Sequence, residues 1–324
     1  MVINMENNWT ILNQSLLAGQ KIQIMADMGV SGCEMPFTLI NGTAPGKTVL
    51  ITAAVHADEY PGVVASIKVA KEIKPNEVKG RIIICHCVNT SGFWARTRTV
   101  ECGANLNANF PGKAEGTSGE RIADFFVKNI LPQVDFLVDL HSGGVMTTLT
   151  PCLFFPYATK DEVRMESLAA AHATDIPYFI ASRATSGLYS YAATVMDIPV
   201  LLLERGHTGQ CREDWVKSYI KDVRLLLNYL SCYPFEYTGQ LCPKKTYEKT
   251  AYPEADVSGL WYPAIRENMY VKKGDLLGHI EDFWGNCIAK FHAEDNGVVF
   301  YYESSLSVTT GETLVAYGLD SHLI

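Results

Sequence analysis

No apolar run in this chain of 324 residues approaches the roughly 20 positions a membrane helix requires, so no membrane span is expected. The opening segment, MVINMENNWTILNQ, has neither a basic start nor a long apolar stretch, which argues against an export signal. Basic residues are in the minority, 27 against 35 acidic ones, and the net charge of −8 disfavours nucleic acid as a partner. No Cys-x-x-Cys pair occurs, and the nine cysteines are odd in number and scattered. That pattern fits reduced thiols and a cytoplasmic location better than a disulfide framework. Cys85 and Cys87 flank His86 in RIIICHCVN, but strand alternation sends the imidazole to the face opposite both thiols. A buried strand is expected there rather than a metal site.

With 48% hydrophobic and 19% charged residues, the chain has the composition of a globular protein with a substantial core. Its first 45 residues read as short strands and turns. After them, strands and helices alternate: a strand Thr48 to Val55, a helix opened by Pro61, and a strand Arg81 to Val88. Further on come a helix IADFFVKNIL started near Ser118, a strand ending at His141, a helix from Asp161 to Thr174 and a strand near Tyr178 to Ala181. A helix from Leu188 to Met196, a strand ending at Glu204 and a helix from Trp215 to Leu230 complete the series. Apolar-throughout strands between helices predict an α/β domain with a largely parallel sheet. From Gly239 the helical period disappears and short glycine-punctuated alternating runs take over, as in SGLWYPAI and NGVVFYY. Residues 239–324 are therefore expected to form a small all-β sandwich or barrel appended to a catalytic unit of residues 1–238.

Three of the apolar strands end in groups that can bind or activate. His56 and Glu59 follow the strand in TVLITAAVHADEYPG, His141 closes FLVDLHSGG, and Glu204 closes IPVLLLERG. An isolated His-x-x-Glu is common by chance, and a charged strand end is often merely solvated. Three such ends at one edge of a parallel sheet are a stronger signal, because open α/β sheets bind their ligands there. Two histidines and a carboxylate, here His56, Glu59 and His141, leave a tetrahedral Zn²⁺ one open position for water. A second carboxylate, Glu204, can take that water's proton. The polar stretch Asn89 to Gly119 is too long for an idle loop and is expected to serve the site.

HADE, the pair NTSGFWARTR and ANLNANFPG, DLHSGG and LLLERG occur in an order and spacing that resembles the succinylglutamate desuccinylase/aspartoacylase family. The resemblance covers nearly the whole chain and implies a zinc-carboxypeptidase-like mixed sheet flanked by helices, with the β domain appended. It implies one Zn²⁺ per chain on His56, Glu59 and His141, Glu204 as general base, and Arg98 polarising the substrate carbonyl. Arg96 is the other candidate for that last role. The family's Asp-Leu-Asn-Arg appears as Asn105-Leu106-Asn107-Ala108, so the arginine that grips a substrate carboxylate is absent, while Asn105 and Asn107 remain. Arg205 could supply a displaced positive charge, or form a salt bridge elsewhere on the sheet rim.

The activity implied is zinc-dependent hydrolysis of the amide, or ester, bond of a small acylated amino acid or amine. Two other readings compete with it. One is a metallocarboxypeptidase acting on peptide C-termini, which the missing arginine and the appended β domain disfavour. The other is a non-catalytic carrier using the β domain, whose Lys272 and Lys273 lack the methionines that flank a biotin site. His207, His279 and His292 are expected to be structural or pocket-lining. Homo-oligomers are compatible with this sequence, which does not identify acyl group or amine.

Overall fold

The computed structural model describes residues 8–324; the first half of the opening segment MVINMENNWTILNQ, where no export signal is expected, lies outside them. A nine-stranded mixed sheet organises the chain. From edge to edge it runs Lys245–Tyr247, Tyr178–Ser182, Cys152–Pro156, Val200–Glu204, Phe136–His141, Ala44–Ala53, Lys79–Cys85, Met35–Asn41 and Gln20–Ala26. Its middle is parallel: Val200–Glu204, Phe136–His141, Ala44–Ala53 and Lys79–Cys85 all point the same way. Cys152–Pro156 reverses direction beside Val200–Glu204. Of the short strands expected in the first 45 residues, Trp9–Ile11 and Gln14–Leu16 pair with each other, while Gln20–Ala26 and Met35–Asn41 join the large sheet as antiparallel neighbours.

Alternation along the central strands explains why both faces are covered. Val49, Ile51, Val138, Leu140, Leu201 and Leu203 enter one buried cluster, which holds the helices Pro61–Glu72 and Glu213–Tyr229. Leu50, Leu137 and Val200 enter another, with helices Ser118–Asn129 and Leu188–Thr194. A strand buried on both faces reads as a continuous apolar run, which is what the sequence presents. Glu204 lies beside His141 in register, on the side of Val200, whereas Arg205 falls on the side of Leu203.

Some boundaries move. The helix expected from Ser118 is capped by Thr117, whose hydroxyl accepts from Glu120 N while the Glu120 carboxylate accepts from Thr117 N. That is a full capping box, T-S-G-E, one residue earlier than the weak one expected. The long segment after Asn89 is not structureless; it contains the helix Thr90–Ala95 and a 3₁₀ turn at Leu106–Asn109. His86 is buried with Thr38 Oγ1 at 2.8 Å and Ser66 Oγ at 2.9 Å, and burial lowers its pKa to about 4. Those two partners satisfy the ring as a structural group.

The C-terminal strands form two antiparallel sheets over a common cluster that includes Trp261, Ile280, Val299 and Tyr317. The two parts of the chain exchange strands. Lys245–Tyr247 extends the large sheet, while Thr147–Leu149, just after the Ser142-Gly143-Gly144 loop, pairs with Gly297–Glu303. The β region is thereby fastened next to the ends of the strands that carry His141 and Glu204.

Candidate active site

The strand Ala44–Ala53 ends three residues before His56, and Ala54 turns the chain with φ +53°. A left-handed residue with a side chain costs about 1–2 kcal/mol, a local strain of the kind that collects where a loop must aim functional groups. Pro61 then starts the helix, and Gly62 packs against the next strand so closely that a Cβ there would lie 2.8 Å from Leu140 Cβ. The turn between strand and helix carries His56, Asp58 and Glu59 to the sheet edge.

His56, Glu59 and His141 offer ligand atoms that all lie within 4.8 Å of one another, and all three residues are buried. His56 Nδ1 is 2.9 Å from Glu59 Oε1, and His141 Nδ1 is 3.0 Å from Glu59 Oε2. The two Nδ1 atoms are 3.2 Å apart. His141 Nε2 faces Asp139 Oδ2 at 3.0 Å, and Asp139 also accepts from Thr52 Oγ1 at 2.6 Å. Burial alone would discharge His141, but Asp139 and Glu59 outweigh it and hold the imidazole protonated well above its usual range. Burial likewise pushes Glu59 up, yet the two histidines keep it ionised. With Nε2–H fixed on Asp139, loss of the single Nδ1 proton turns a lone pair toward Glu59 and His56. A carboxylate behind a ligating histidine is the usual support of a metal site, and the donor set suits a divalent cation.

Glu204 stands at the next strand end, with its Oε2 buried and without a hydrogen-bond partner. Burial, then the charge of Glu59, raises its pKa to about 8, against the pull of His141 and Arg98. Arg98 reaches the triad directly: Nη1 donates to Glu59 Oε1 at 2.9 Å, and Nη2 lies 2.9 Å from His56 Nδ1. Asn107 Nδ2 is 3.4 Å from His56 Nε2, and Asn107 Oδ1 accepts from Leu188 N at 3.3 Å. These residues line one cavity of about 730 Å³. Asp58 ties the loop after His141 in place by accepting from Val145 N at 3.0 Å. Gly144 permits that approach, since a Cβ there would meet Asp58 Oδ2 at 2.4 Å.

The other expected residues lie elsewhere. Asn105 caps the turn at Leu106–Asn109 by accepting from Asn107 N, and it does not line the cavity. Arg96 is exposed in a left-handed helix cap and is not among the residues that line the cavity. Of the two roles expected for Arg205, the salt bridge is found and the pocket cation is not. Arg205 is buried on the opposite face of the sheet, where Nε donates to Asp222 Oδ2 at 2.6 Å and Nη2 to the Asp175 carbonyl at 2.8 Å. The alternation that separates His86 from its cysteines also separates Arg205 from Glu204. His207 packs on Trp215, with ring centroids 4.7 Å apart.

Two contributors were not picked out from the sequence. Asp139 stands two positions before His141 and so shares its face, a spacing that identifies it once the strand is assigned. Tyr219, on the helix Glu213–Tyr229, places its hydroxyl against the carbonyls of His141 and Leu203 and accepts from Arg205 N at 2.7 Å. It joins the two strand ends behind the site. Nothing in its helical pattern distinguishes it from an ordinary core aromatic.

The chain is similar to several known proteins. Residues 45–230 match the family model described as the succinylglutamate desuccinylase/aspartoacylase catalytic domain. The chain is 27% identical over 306 residues to N-alpha-acetyl-L-2,4-diaminobutyric acid deacetylase of Halomonas elongata, covering 91% of this chain and 88% of that one. It superposes on the product-bound ectoine utilization protein EutE (DoeB) of Ruegeria pomeroyi with a TM-score of 0.81, at 27% identity and 94% coverage of each chain. A succinylglutamate desuccinylase/aspartoacylase structure from Rhodobacter sphaeroides gives the same TM-score and identity, with 89% of each chain covered. The matched model spans more than half of the chain and contains every strand end of the site, so the protein belongs to the succinylglutamate desuccinylase/aspartoacylase family.

Proposed function

We propose that the protein is a zinc-dependent deacylase that hydrolyses the amide bond of a small N-acyl amino acid or acyl-amine, within a carboxypeptidase-like arrangement of sheet and site. The observation that carries this reading is the unpartnered Glu204 carboxylate beside the His56–Glu59–His141 cluster in one cavity. Zinc held by those three residues would acidify a water molecule and polarise the scissile carbonyl. Glu204 takes the proton from the attacking water and returns it to the leaving amine, so the base ends the cycle as it began. Arg98 donates to the carbonyl oxygen as negative charge develops on it. Asn107, held by Leu188 N, offers an amide N–H to the same end of the cavity. A panel of N-acyl amino acids, acyl-amines and simple esters, read by release of free amine or alcohol, tests the reading. Absence of hydrolysis by the zinc-loaded protein across that panel would overturn it.

Asp139 gives a second handle on the metal. Asp139→Asn leaves the fold's volume unchanged but removes the charge that holds His141 Nε2–H. Zinc affinity should fall about 10–100-fold, measured by competition with a chelator; unaltered affinity would show that His141 is oriented by other contacts.

The β region also bears on substrate size. Glu248, Thr250, Tyr252, Tyr301 and Leu319 contribute to the cavity wall from beyond residue 239. Short acylated substrates should therefore be cleaved, while long peptides should lose no C-terminal residues over the same incubation. Steady trimming of a long peptide, seen by mass spectrometry, would restore the carboxypeptidase reading.

A further inference from the structure

The cavity continues beyond the triad. It passes Phe154 and Leu202 and reaches Arg183 and Lys249. The ladder gives its length. Glu204 is level with Cys152, and Cys152 with Tyr178, so Arg183 stands five residues further along and two strands across. At about 3.3 Å per residue and about 4.8 Å between strands, the two Cα atoms are separated by roughly 19 Å. Their side chains span part of that distance, and the remainder far exceeds the two bonds between an α-carboxylate and its own amide nitrogen.

The far end is cationic and incompletely satisfied. Arg183 donates to the Glu248 carbonyl and to Glu248 Oε1, both at 2.9 Å, and its guanidinium lies 4.3 Å from the Tyr157 ring centroid. Only part of its donor fork is used in those contacts. Lys249 is exposed on the cavity wall, and among the described residues its ammonium has no ion pair or hydrogen bond. Glu248 therefore neutralises one of the two cations. In the same wall the Tyr189 hydroxyl is buried, with the Ser182 side chain as its polar neighbour. A spare cation and an open guanidinium edge together suit a carboxylate.

We propose that Arg183 and Lys249 form a subsite for a carboxylate at the distal end of an elongated acylated substrate, several bonds from the scissile amide. The proposal rests on the deacylase reading and deepens it, because it places the charge recognition lost at Ala108 at the opposite end of the cavity. The carboxylate can belong to the amine half or to the acyl half of the substrate.

Binding to the zinc-loaded Glu204→Gln protein, followed by calorimetry, tests this without turnover. N-acetyl-6-aminohexanoate and N-acetyl-8-aminooctanoate represent the amine half, adipic and suberic acid mono-N-methylamides the acyl half, each compared with its carboxamide. At least one acid in the series should bind tenfold or more tightly than its carboxamide, whereas N-acetylglycine and its carboxamide should differ by less than twofold. Lys249→Gln should erase most of the preference, and Arg183→Gln should do the same where it remains folded. Equal affinity of every acid and its carboxamide, no binding of any of them at millimolar concentration, or a preference unchanged by Lys249→Gln would overturn the subsite. Each of those results leaves the deacylase reading standing, which fails separately if the wild-type protein cleaves no acylated compound.

Discussion

Glu204→Gln should lower kcat by about 10²–10⁴-fold, the usual contribution of a general base, while the protein keeps its fold and its zinc. Glutamine preserves the volume of the side chain, and Glu204 is not among the three converging ligand-type residues. The variant also relieves a local cost. Burial and the nearby Glu59 oppose ionisation at this position, so an uncharged side chain should be tolerated at least as well as the carboxylate. Elemental analysis and thermal unfolding would establish that metal and fold persist. Turnover close to that of the wild type would show that another group accepts the water's proton. Arg98→Ala should be milder, at about 10²–10³-fold, since it removes one donor to the oxyanion while the base remains.

The same residue sets an expectation for pH. A base must be ionised, so kcat/KM should rise with pH through the pKa of Glu204. Without a cation at the triad that value is about 8. Positive charge held by His56, Glu59 and His141 favours the carboxylate and moves the ascending limb to lower pH. A limb that persisted unchanged in the residual activity of Glu204→Gln would belong to a different group.

Much of this site is legible in the sequence, and the reasons are specific. His56, Glu59, His141 and Glu204 each follow an apolar strand in a single chain segment, so local pattern finds them. Register then brings His141 beside Glu204. Asn107 and Arg98 lie in a segment with little periodicity, and the family resemblance identified them where composition could not. What escaped was the direction of side chains across the sheet and contacts between distant segments. Arg205 neighbours Glu204 in sequence but points to the other face. Tyr219 reaches the His141 carbonyl from a helix 78 positions away. Pairing of Thr147–Leu149 with Gly297–Glu303 joins segments separated by about half of the chain, and neither strand carries a local signal for its partner.

Arg205→Ala should destabilise the protein by about 3–5 kcal/mol, the range for breaking a buried ion pair by removing one member. Asp222 is wholly buried, and its carboxylate would be left without its guanidinium. The Asp175 carbonyl would lose a donor in the same step. Substrate discrimination should be unchanged in whatever fraction stays folded, because the side chain lies across the sheet from the cavity. Denaturant unfolding measures the first effect, and the ratio of kcat/KM for an N-acyl amino acid and its carboxamide measures the second. Replacing both partners, Arg205→Met with Asp222→Leu, distinguishes a structural pair from a substrate clamp. Apolar side chains remove the stranded charge, so the double variant should recover most of the lost stability, as buried ion pairs exchanged for packed apolar groups often do. A change in that ratio in the stable double variant would mean that Arg205 senses the substrate through the strand it shares with Glu204.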